Sequence, residues 1–113
     1  MSVEEYFSTG PSHERPIFDA VVAHLRAVGD VHVEPVSVGI FFKRAGRFAE
    51  LRPMEKWVAL SFKLPRRVSH RTITRKVIQY HGSFWHVCNL RSPEDVDDDI
   101  RGWLTEAYLN APG

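Results

Sequence analysis

The spacing of the apolar residues changes twice along this chain, and this change constrains the fold more than any other feature. Between residues 17 and 28 apolar residues recur every three or four positions, which predicts a helix with one face on a core. Between residues 36 and 64 they mostly alternate with other residues, which predicts half-buried strands. After residue 96 the helical spacing returns. The pattern therefore predicts a sheet with helices before and after it.

Residues at the predicted helix ends support this division. Residues 2–5 fit a capping box that starts a short helix. Ser12 is the predicted N-cap of the second helix, and Gly29 its left-handed end. Ser92 with Pro93 predicts the start of the last helix. The predicted buried stripe of that helix is Val96, Ile100, Trp103, Leu104, Ala107 and Tyr108.

The middle of the chain predicts an antiparallel sheet of about five strands. Short links between the strands indicate antiparallel pairing, and helices at both ends of the sequence predict an α+β fold. Residues 66–74 are basic and polar without a clear period, so we expect a loop there. The predicted strands cover residues 36–43, 47–51, 58–64, 76–80 and 84–90, with residues 31–33 as a shorter strand or an extended lead-in.

Length and composition predict one soluble domain covering residues 1–113. The chain is 43% hydrophobic, which is enough for a core, and no apolar run approaches the roughly 18–20 residues that span a bilayer. The first residues are acidic where a signal peptide would be basic. Cys88 is the only cysteine, so an internal disulfide is excluded. We therefore expect a cytoplasmic protein without a membrane partner.

Charge is distributed unevenly along the chain. From Lys43 to Lys76 eleven bases face two acids, a net charge of +9, whereas the remainder carries −8 and the total is only +1. Such segregation produces a local field even when the total charge is near zero. One interpretation is that these bases keep strand edges solvated. The other is a surface for an anion, a nucleic acid or the acidic part of a second copy.

Aromatic and basic residues alternate on one predicted face of the sheet. When residues 36, 38, 40, 58, 60 and 62 face the helices, Phe41, Lys43, Trp57 and Lys63 face away, and Trp85 joins them in one register. Single-stranded nucleic-acid binders use such rings for stacking and such cations for phosphates. Alternatively, the last helix covers this face, or a homodimer seals it. The predicted ligand-binding residues are Lys43, Arg47, Trp57, Lys63, Trp85 and His86.

Other chemistry is less well supported by the sequence. Cys88 and His86 are the one compact nucleophile–base pair, but nothing marks an oxyanion hole or a third group, so we predict no catalytic residues. Together with His70 and His81 they match no zinc spacing, and we predict neither a metal nor another cofactor. The acids of residues 94–99 fit the first turn of a helix better than an ion site.

These features predict a noncatalytic binding module whose partner is an anionic small molecule or single-stranded nucleic acid. A self-associating interaction domain, a homodimer in which the basic segment faces the acidic remainder of the second copy, is the alternative. An enzyme that uses His86 and Cys88 is the third possibility.

Seven motifs in order along the chain resemble a known family. They are Glu-Glu-Tyr-Phe at residues 4–7, Val-Gly-Ile-Phe-Phe-Lys at 38–43, Gly-Arg-Phe-Ala at 46–49, Leu-Ser-Phe-Lys-Leu-Pro at 60–65, Trp-His-Val at 85–87, Leu-Arg-Ser-Pro-Glu-Asp-Val at 90–96 and Trp-Leu-Thr-Glu-Ala-Tyr at 103–108. The resemblance is to the bacterial family catalogued as domain of unknown function 5655, and it spans nearly the whole chain. It implies no activity, cofactor or catalytic residue. A weaker similarity, at the level of the fold, is to frataxin-like iron-chaperone domains, and function does not follow from fold.

Overall fold

The alternating segments in the middle of the chain form one antiparallel sheet of six strands, in the order β1-β2-β3-β4-β6-β5. The computed structural model describes residues 1–111. The elements are α1 (Val3–Phe7), α2 (Glu14–Val28), β1 (His32–Val36), β2 (Gly39–Lys43), β3 (Arg47–Pro53), β4 (Val58–Leu64), β5 (Ile78–Tyr80), β6 (Ser83–Leu90), a 3-10 turn (Pro93–Asp95) and α3 (Asp98–Asn110). The predicted α+β class is confirmed, with six strands instead of about five.

The sixth strand is β1, which extends the shorter strand that was one of the two predictions for residues 31–33, and a turn interrupts the segment predicted as one strand, residues 36–43. The chain reverses after Val36, so that β1 and β2 pair as a hairpin with Val36 opposite Gly39. Val38 lies in the turn and is 56% exposed, so the prediction that Val38 faces the helices is wrong. A Cβ at Gly39 would lie 2.5 Å from the backbone oxygen of Leu51, so only glycine fits beside β3. The alternation of apolar residues continues through this turn, so the sequence pattern does not indicate where the strand ends.

The first two helices begin differently from one another. The capping box of α1 is confirmed, because the Glu5 N–H donates to Ser2 Oγ at 3.0 Å and the Ser2 N–H donates to Glu5 Oε1 at 3.2 Å. The second helix begins at Glu14 after His13, which makes no side-chain cap, and Ser12 is not its N-cap.

The ends of α2 and the start of α3 also differ from the prediction. Gly29 is extended, with φ of 170°, and does not adopt the left-handed conformation. A Cβ at Gly29 would lie 2.4 Å from Tyr108 Oη, so close packing explains the glycine. Ser92 and Pro93 start only the 3-10 turn. The last helix begins at Asp98, and its N-cap is Asp97, whose side chain accepts from the Ile100 N–H.

The helices pack on one face of the sheet and leave the other face open. Across four neighbouring strands, Ile40, Leu51, Leu60 and Cys88 form a row of fully buried side chains. The next row, on the opposite face, is only half-buried: Phe41, Glu50, Ser61 and Val87.

The last helix lies on the buried side of the sheet. Its Trp103 ring stacks on Phe62 with centroids 6.0 Å apart, and Ile100, Leu104 and Tyr108 join the core. It therefore does not cover the open face, and no other helix within residues 1–111 does. None of the helices in this part of the chain is long and apolar enough to cross a membrane.

Candidate functional site

The topology brings basic residues to one end of the sheet. Because β2 runs into β3 through the turn at residues 44–46, Lys43 lies directly opposite Arg47. Because β4 ends where β6 begins, Lys63 lies directly opposite Trp85. All four residues are on the open face. Lys43, Lys63 and Trp85 are each next to a buried residue of their strand, and Arg47 contacts the open-face ring of Phe41. We call these four residues and Phe41 the basic aromatic surface.

Arg47 is the centre of the basic aromatic surface. Its guanidinium carbon lies 4.7 Å from the centroid of the Phe41 ring and 5.8 Å from that of Trp85. These distances suit cation–π attraction, which is worth about 0.5–1 kcal/mol at exposed sites. Arg47 itself is exposed, whereas the two rings are half-buried. The arrangement presents a cation and ring surface together, on a face that no helix covers.

A shallow pocket of about 300 Å³ lies beside Arg47. Glu50 is on its floor with a side chain only 17% exposed, and its Oε2 is buried without a hydrogen bond, although Arg52 Nε is 3.5 Å away. Ile78 and Tyr80 of the edge strand form one wall and are 61% and 62% exposed. The lining residues are Arg47, Glu50, Ser61, Ile78, Tyr80, Trp85 and Val87.

Folding neutralises part of the charge segregation seen along the sequence. Acids from outside the basic segment pair with three of its bases, and Glu50 lies near a fourth. Arg47 and Lys63 have no acidic partner in the part of the chain that the structure describes, so they keep their charge available at the open face. The pairs are Lys43–Glu34 at 2.9 Å, Arg66–Glu106 at 2.9 Å, Arg71–Asp95 at 3.1 Å and Arg52–Glu50 at 3.5 Å.

A family model described as "Domain of unknown function (DUF5655)" matches residues 3–111. The chain belongs to this family. Comparison with curated proteins gives no match, and comparison with solved structures gives none either. The family description assigns no activity to the DUF5655 domain. Its function must therefore be argued from the positions of its residues.

Trp57 does not join the other predicted ligand-binding residues. It lies just before β4, and Lys63 is six residues further along, roughly 20 Å away in an extended strand. The Arg91 guanidinium covers its ring at 5.4 Å, and its indole Nε1 is buried without a hydrogen-bond partner within residues 1–111. Trp57 thus belongs to the other end of the sheet.

His86 lies on the buried side of the sheet, so placing it with the ligand-binding residues needs correction. It is fully buried and stacks on Phe62. Its Nδ1–H donates to the Phe84 carbonyl at 3.0 Å, and its Nε2 accepts from the Val68 N–H at 3.0 Å. Burial lowers the pKa of His86, which favours the neutral ring that this pattern requires. Neighbouring residues of a strand point to opposite faces of the sheet, so His86 and Trp85 lie on opposite sides.

Cys88 and His86 do not form an activated nucleophile–base pair. Both are fully buried, and burial raises the pKa of the Cys88 thiol to about 11. The protonated thiol therefore dominates at neutral pH, and a thiol is a poor nucleophile. Both nitrogens of His86 already have partners, so neither is free to take a proton from the thiol.

Sequence reasoning missed a contact between His70 and Asp97, which we call the His70–Asp97 latch. The His70 Nδ1 accepts from the Thr72 N–H at 3.2 Å, which leaves Nε2–H to donate to Asp97 Oδ2 at 2.9 Å. Ligand atoms of His70, Asp97 and Asp99 lie within 4.8 Å of one another, but the first two are already engaged. The latch fastens the loop of residues 66–77 to α3. The one sequence signal for this contact is that Asp97 is suited to be the N-cap of a helix.

Three of the acids before and within the first turn of α3 have structural partners, namely Asp95, Asp97 and Asp98. Asp95 accepts from the Arg91 N–H at 2.8 Å, which lowers its pKa. Burial acts to raise the pKa of Asp97, but the hydrogen bonds from Ile100 and His70 outweigh it, so this pKa lies below the usual range. Asp98 pairs with Arg101. These contacts account for the acidic segment as part of the fold.

Proposed function

We propose that this domain is a noncatalytic binding module whose open sheet face binds an anionic ligand that carries a planar ring. The observation that supports this most strongly is the position of Arg47 between the rings of Phe41 and Trp85. Single-stranded RNA and DNA present both a planar base and a phosphate, so they are the first ligands to test.

The energetics of base stacking support binding at this surface. Stacking of a base on an aromatic side chain is worth about 1–3 kcal/mol. Trp85 is half-buried in its strand and is therefore held in place before a ligand arrives. Arg47 and Lys63 lack acidic partners among the described residues, so a phosphate near them would displace no ion pair.

The absence of a recognisable reaction centre in this pocket supports binding over catalysis. Its titratable groups are Arg47, Glu50 and Tyr80, and none forms a hydrogen-bonded nucleophile–base pair within residues 1–111. The free, buried thiol of Cys88 fits a reducing compartment, so we place the domain in the cytoplasm as part of the proposal.

Intrinsic tryptophan fluorescence with short single strands, at low and at high salt, tests the proposal. Binding is expected to quench fluorescence and to weaken steeply with salt, because phosphate contacts release counterions. Arg47→Ala combined with Lys63→Ala is expected to weaken binding about tenfold or more while the fold persists. The control is Arg26→Ala combined with Lys56→Ala, which removes two exposed charges elsewhere. Equal affinity of the two folded double variants would reject the proposal.

A second candidate function is self-association through the edge strand β5. This strand exposes Ile78 and Tyr80 and carries no charged residue, whereas edge strands commonly use charges to resist pairing. Two copies paired at β5 would form one continuous sheet and cover the pocket wall. Sedimentation at low and high salt tests this: a dimer that Ile78→Lys converts to a monomer supports it, and a monomer under every condition contradicts it.

A further inference from the structure

A second pocket lies at the end of the sheet opposite the basic aromatic surface. Its volume is about 190 Å³, roughly six times the volume of about 30 Å³ that a water molecule takes in the liquid. It is formed by α1, the connection to α2, the β1–β2 turn and the end of β3. The lining residues are Met1, Glu5, Tyr6, Thr9, Gly10, Pro11, Glu14, Val36, Ser37 and Pro53.

Glu14 is the unusual group in this pocket because it is only 2% exposed. The Tyr6 hydroxyl donates to its Oε2 at 3.0 Å, and we find no other side-chain donor to this carboxylate within residues 1–111. Burial raises the pKa of Glu14 despite that hydrogen bond. A carboxylate removed from water costs free energy unless it is paired, and a lone phenol does not neutralise its charge.

A purely structural role explains only part of this arrangement. As the first residue of α2, Glu14 interacts favourably with the positive end of that helix. An exposed carboxylate would provide this interaction without loss of hydration. The hydrogen bond to Tyr6 fastens α1 to α2, but a neutral glutamine would accept it equally well. Neither role needs a buried negative charge that faces a pocket.

The pocket lining indicates what would pair with this charge. It holds two carboxylates and no lysine, arginine or histidine side chain. Its apolar walls include Val36 and Pro53, and Tyr6 also lines it. A metal ion would require several ligands close together, and among residues 1–111 no group of three metal-ligating side chains lies at this pocket. An organic cation with a short alkyl part fits both the charge and the walls.

We propose that this pocket binds the ammonium group of a small alkyl amine through the carboxylate of Glu14. The site is separate from the basic aromatic surface and does not rest on the function proposed there. The neighbouring titratable groups make other contacts, although His13 also acts on Glu14 and opposes the rise in its pKa that burial causes. Glu5 accepts from the Ser2 N–H at 3.2 Å and lies in the field of the Met1 α-amino group, and His13 contacts the Trp57 carbonyl at 3.3 Å.

Titration of the ¹⁵N-labelled protein with n-butylammonium, followed by NMR, tests the proposal. Saturable shifts are expected at the amides of Thr9, Gly10 and Ser37, and n-butanol of similar shape should leave them unchanged. Glu14→Gln keeps an acceptor for Tyr6 but removes the charge, and should weaken binding about tenfold or more. Glu5→Gln is the matched control because it changes the other lining carboxylate, and should change affinity less than about twofold.

A second measurement on the unaltered protein keeps the test decisive if Glu14→Gln does not fold. Carbon-detected NMR can follow the carboxyl of Glu14 through a pH titration. Saturating n-butylammonium should lower the pKa of Glu14, because a nearby cation favours the carboxylate, and n-butanol should not. A pKa that the amine leaves unchanged, or equal amine affinity in wild type and folded Glu14→Gln, would overturn the proposal.

Discussion

Two glycines in this domain show how a single methyl group can have opposite effects at two positions. Gly29→Ala would place a Cβ 2.4 Å from Tyr108 Oη, which donates to the Asp30 carbonyl at 2.8 Å. Displacement of Tyr108 should lower the free energy of unfolding by about 1–3 kcal/mol. Gly102→Ala is the control, because Gly102 lies on the exposed side of α3 and nothing is within 4 Å of an added Cβ. It should raise stability by about 0.5–1 kcal/mol. Urea denaturation of both variants measures these changes, and equal effects would contradict the packing argument.

His86 makes a pH-dependent contribution at the scale of one residue. Its folded pKa is lowered, so the unfolded chain binds more protons as pH falls below the ordinary value near 6.5. The contribution is therefore complete above that pH and is lost as pH falls through the lowered pKa. His86→Leu also leaves the Val68 N–H unpaired and should cost about 1–3 kcal/mol at neutral pH.

Urea denaturation of wild type and His86→Leu at about pH 7.5 and pH 5.5 measures this effect. The difference in stability between the two proteins should shrink at the lower pH. The exposed His32 provides a control, since His32→Gln should change stability little at either pH. A difference that stays constant with pH would show that His86 is not held neutral.

At the site, sequence reasoning could predict residues that share a strand face but not those brought together by side-chain direction. Arg47, Lys63 and Trp85 lie together because alternation and antiparallel pairing determine their positions. Glu50 and Tyr80 also line the pocket, which the sequence did not predict, because their positions there depend on the exact register of β3, β4, β6 and β5.

At the scale of elements, the local signals that agreed with long-range packing gave correct predictions. The stripe of α2 and the strand at residues 58–64 were both predicted, because one periodicity dominates each segment. The β1–β2 turn was missed because Ser37 and Val38 continue the alternation. The start of α3 was misplaced because Ser92-Pro93 and Asp97 are both good starts, and only the latter is followed by a continuous helix.

The His70–Asp97 latch joins a loop to a helix, and its removal should have a local effect. Asp97→Ala removes both the cap on the Ile100 N–H and the acceptor for His70. Stability should fall by about 2–4 kcal/mol, as expected for a lost cap together with a buried donor left unpaired. Hydrogen exchange should accelerate at Ile73, whose N–H donates to the His70 carbonyl at 3.0 Å.

Asp98→Ala is the matched control for the latch. Asp98 is the next acid along, and its side chain is almost fully exposed next to Arg101. This variant should lose less than about 1 kcal/mol and leave exchange at Ile73 unchanged. If both variants lost the same stability and loop protection, the latch would not hold the loop.

At the scale of the whole molecule, the charge segregation along the sequence becomes a smaller surface feature. Acids from α3, β1 and the 3-10 turn pair with Lys43, Arg66 and Arg71. Among the bases of the segment that have no acidic partner within residues 1–111, Arg47 and Lys63 lie on the open face beside aromatic rings. The net charge of residues 43–76 follows from the sequence alone, whereas tertiary contacts determine which of its bases stay unpaired.

The three tryptophans lie in three different places and act as internal reporters of the open face. Trp85 belongs to the basic aromatic surface, Trp57 lies at the other end of the sheet, and Trp103 packs on the buried side. Their indole N–H signals are resolved by NMR and can be assigned with single Trp→Phe variants.

The most direct test is to follow these three signals while a short single-stranded oligonucleotide is added at low salt. We expect the Trp85 indole signal to shift in a saturable, salt-sensitive way, while the Trp57 and Trp103 signals stay in place. An unchanged Trp85 signal at saturating oligonucleotide, or a shift confined to Trp57 or Trp103, would contradict binding at the basic aromatic surface.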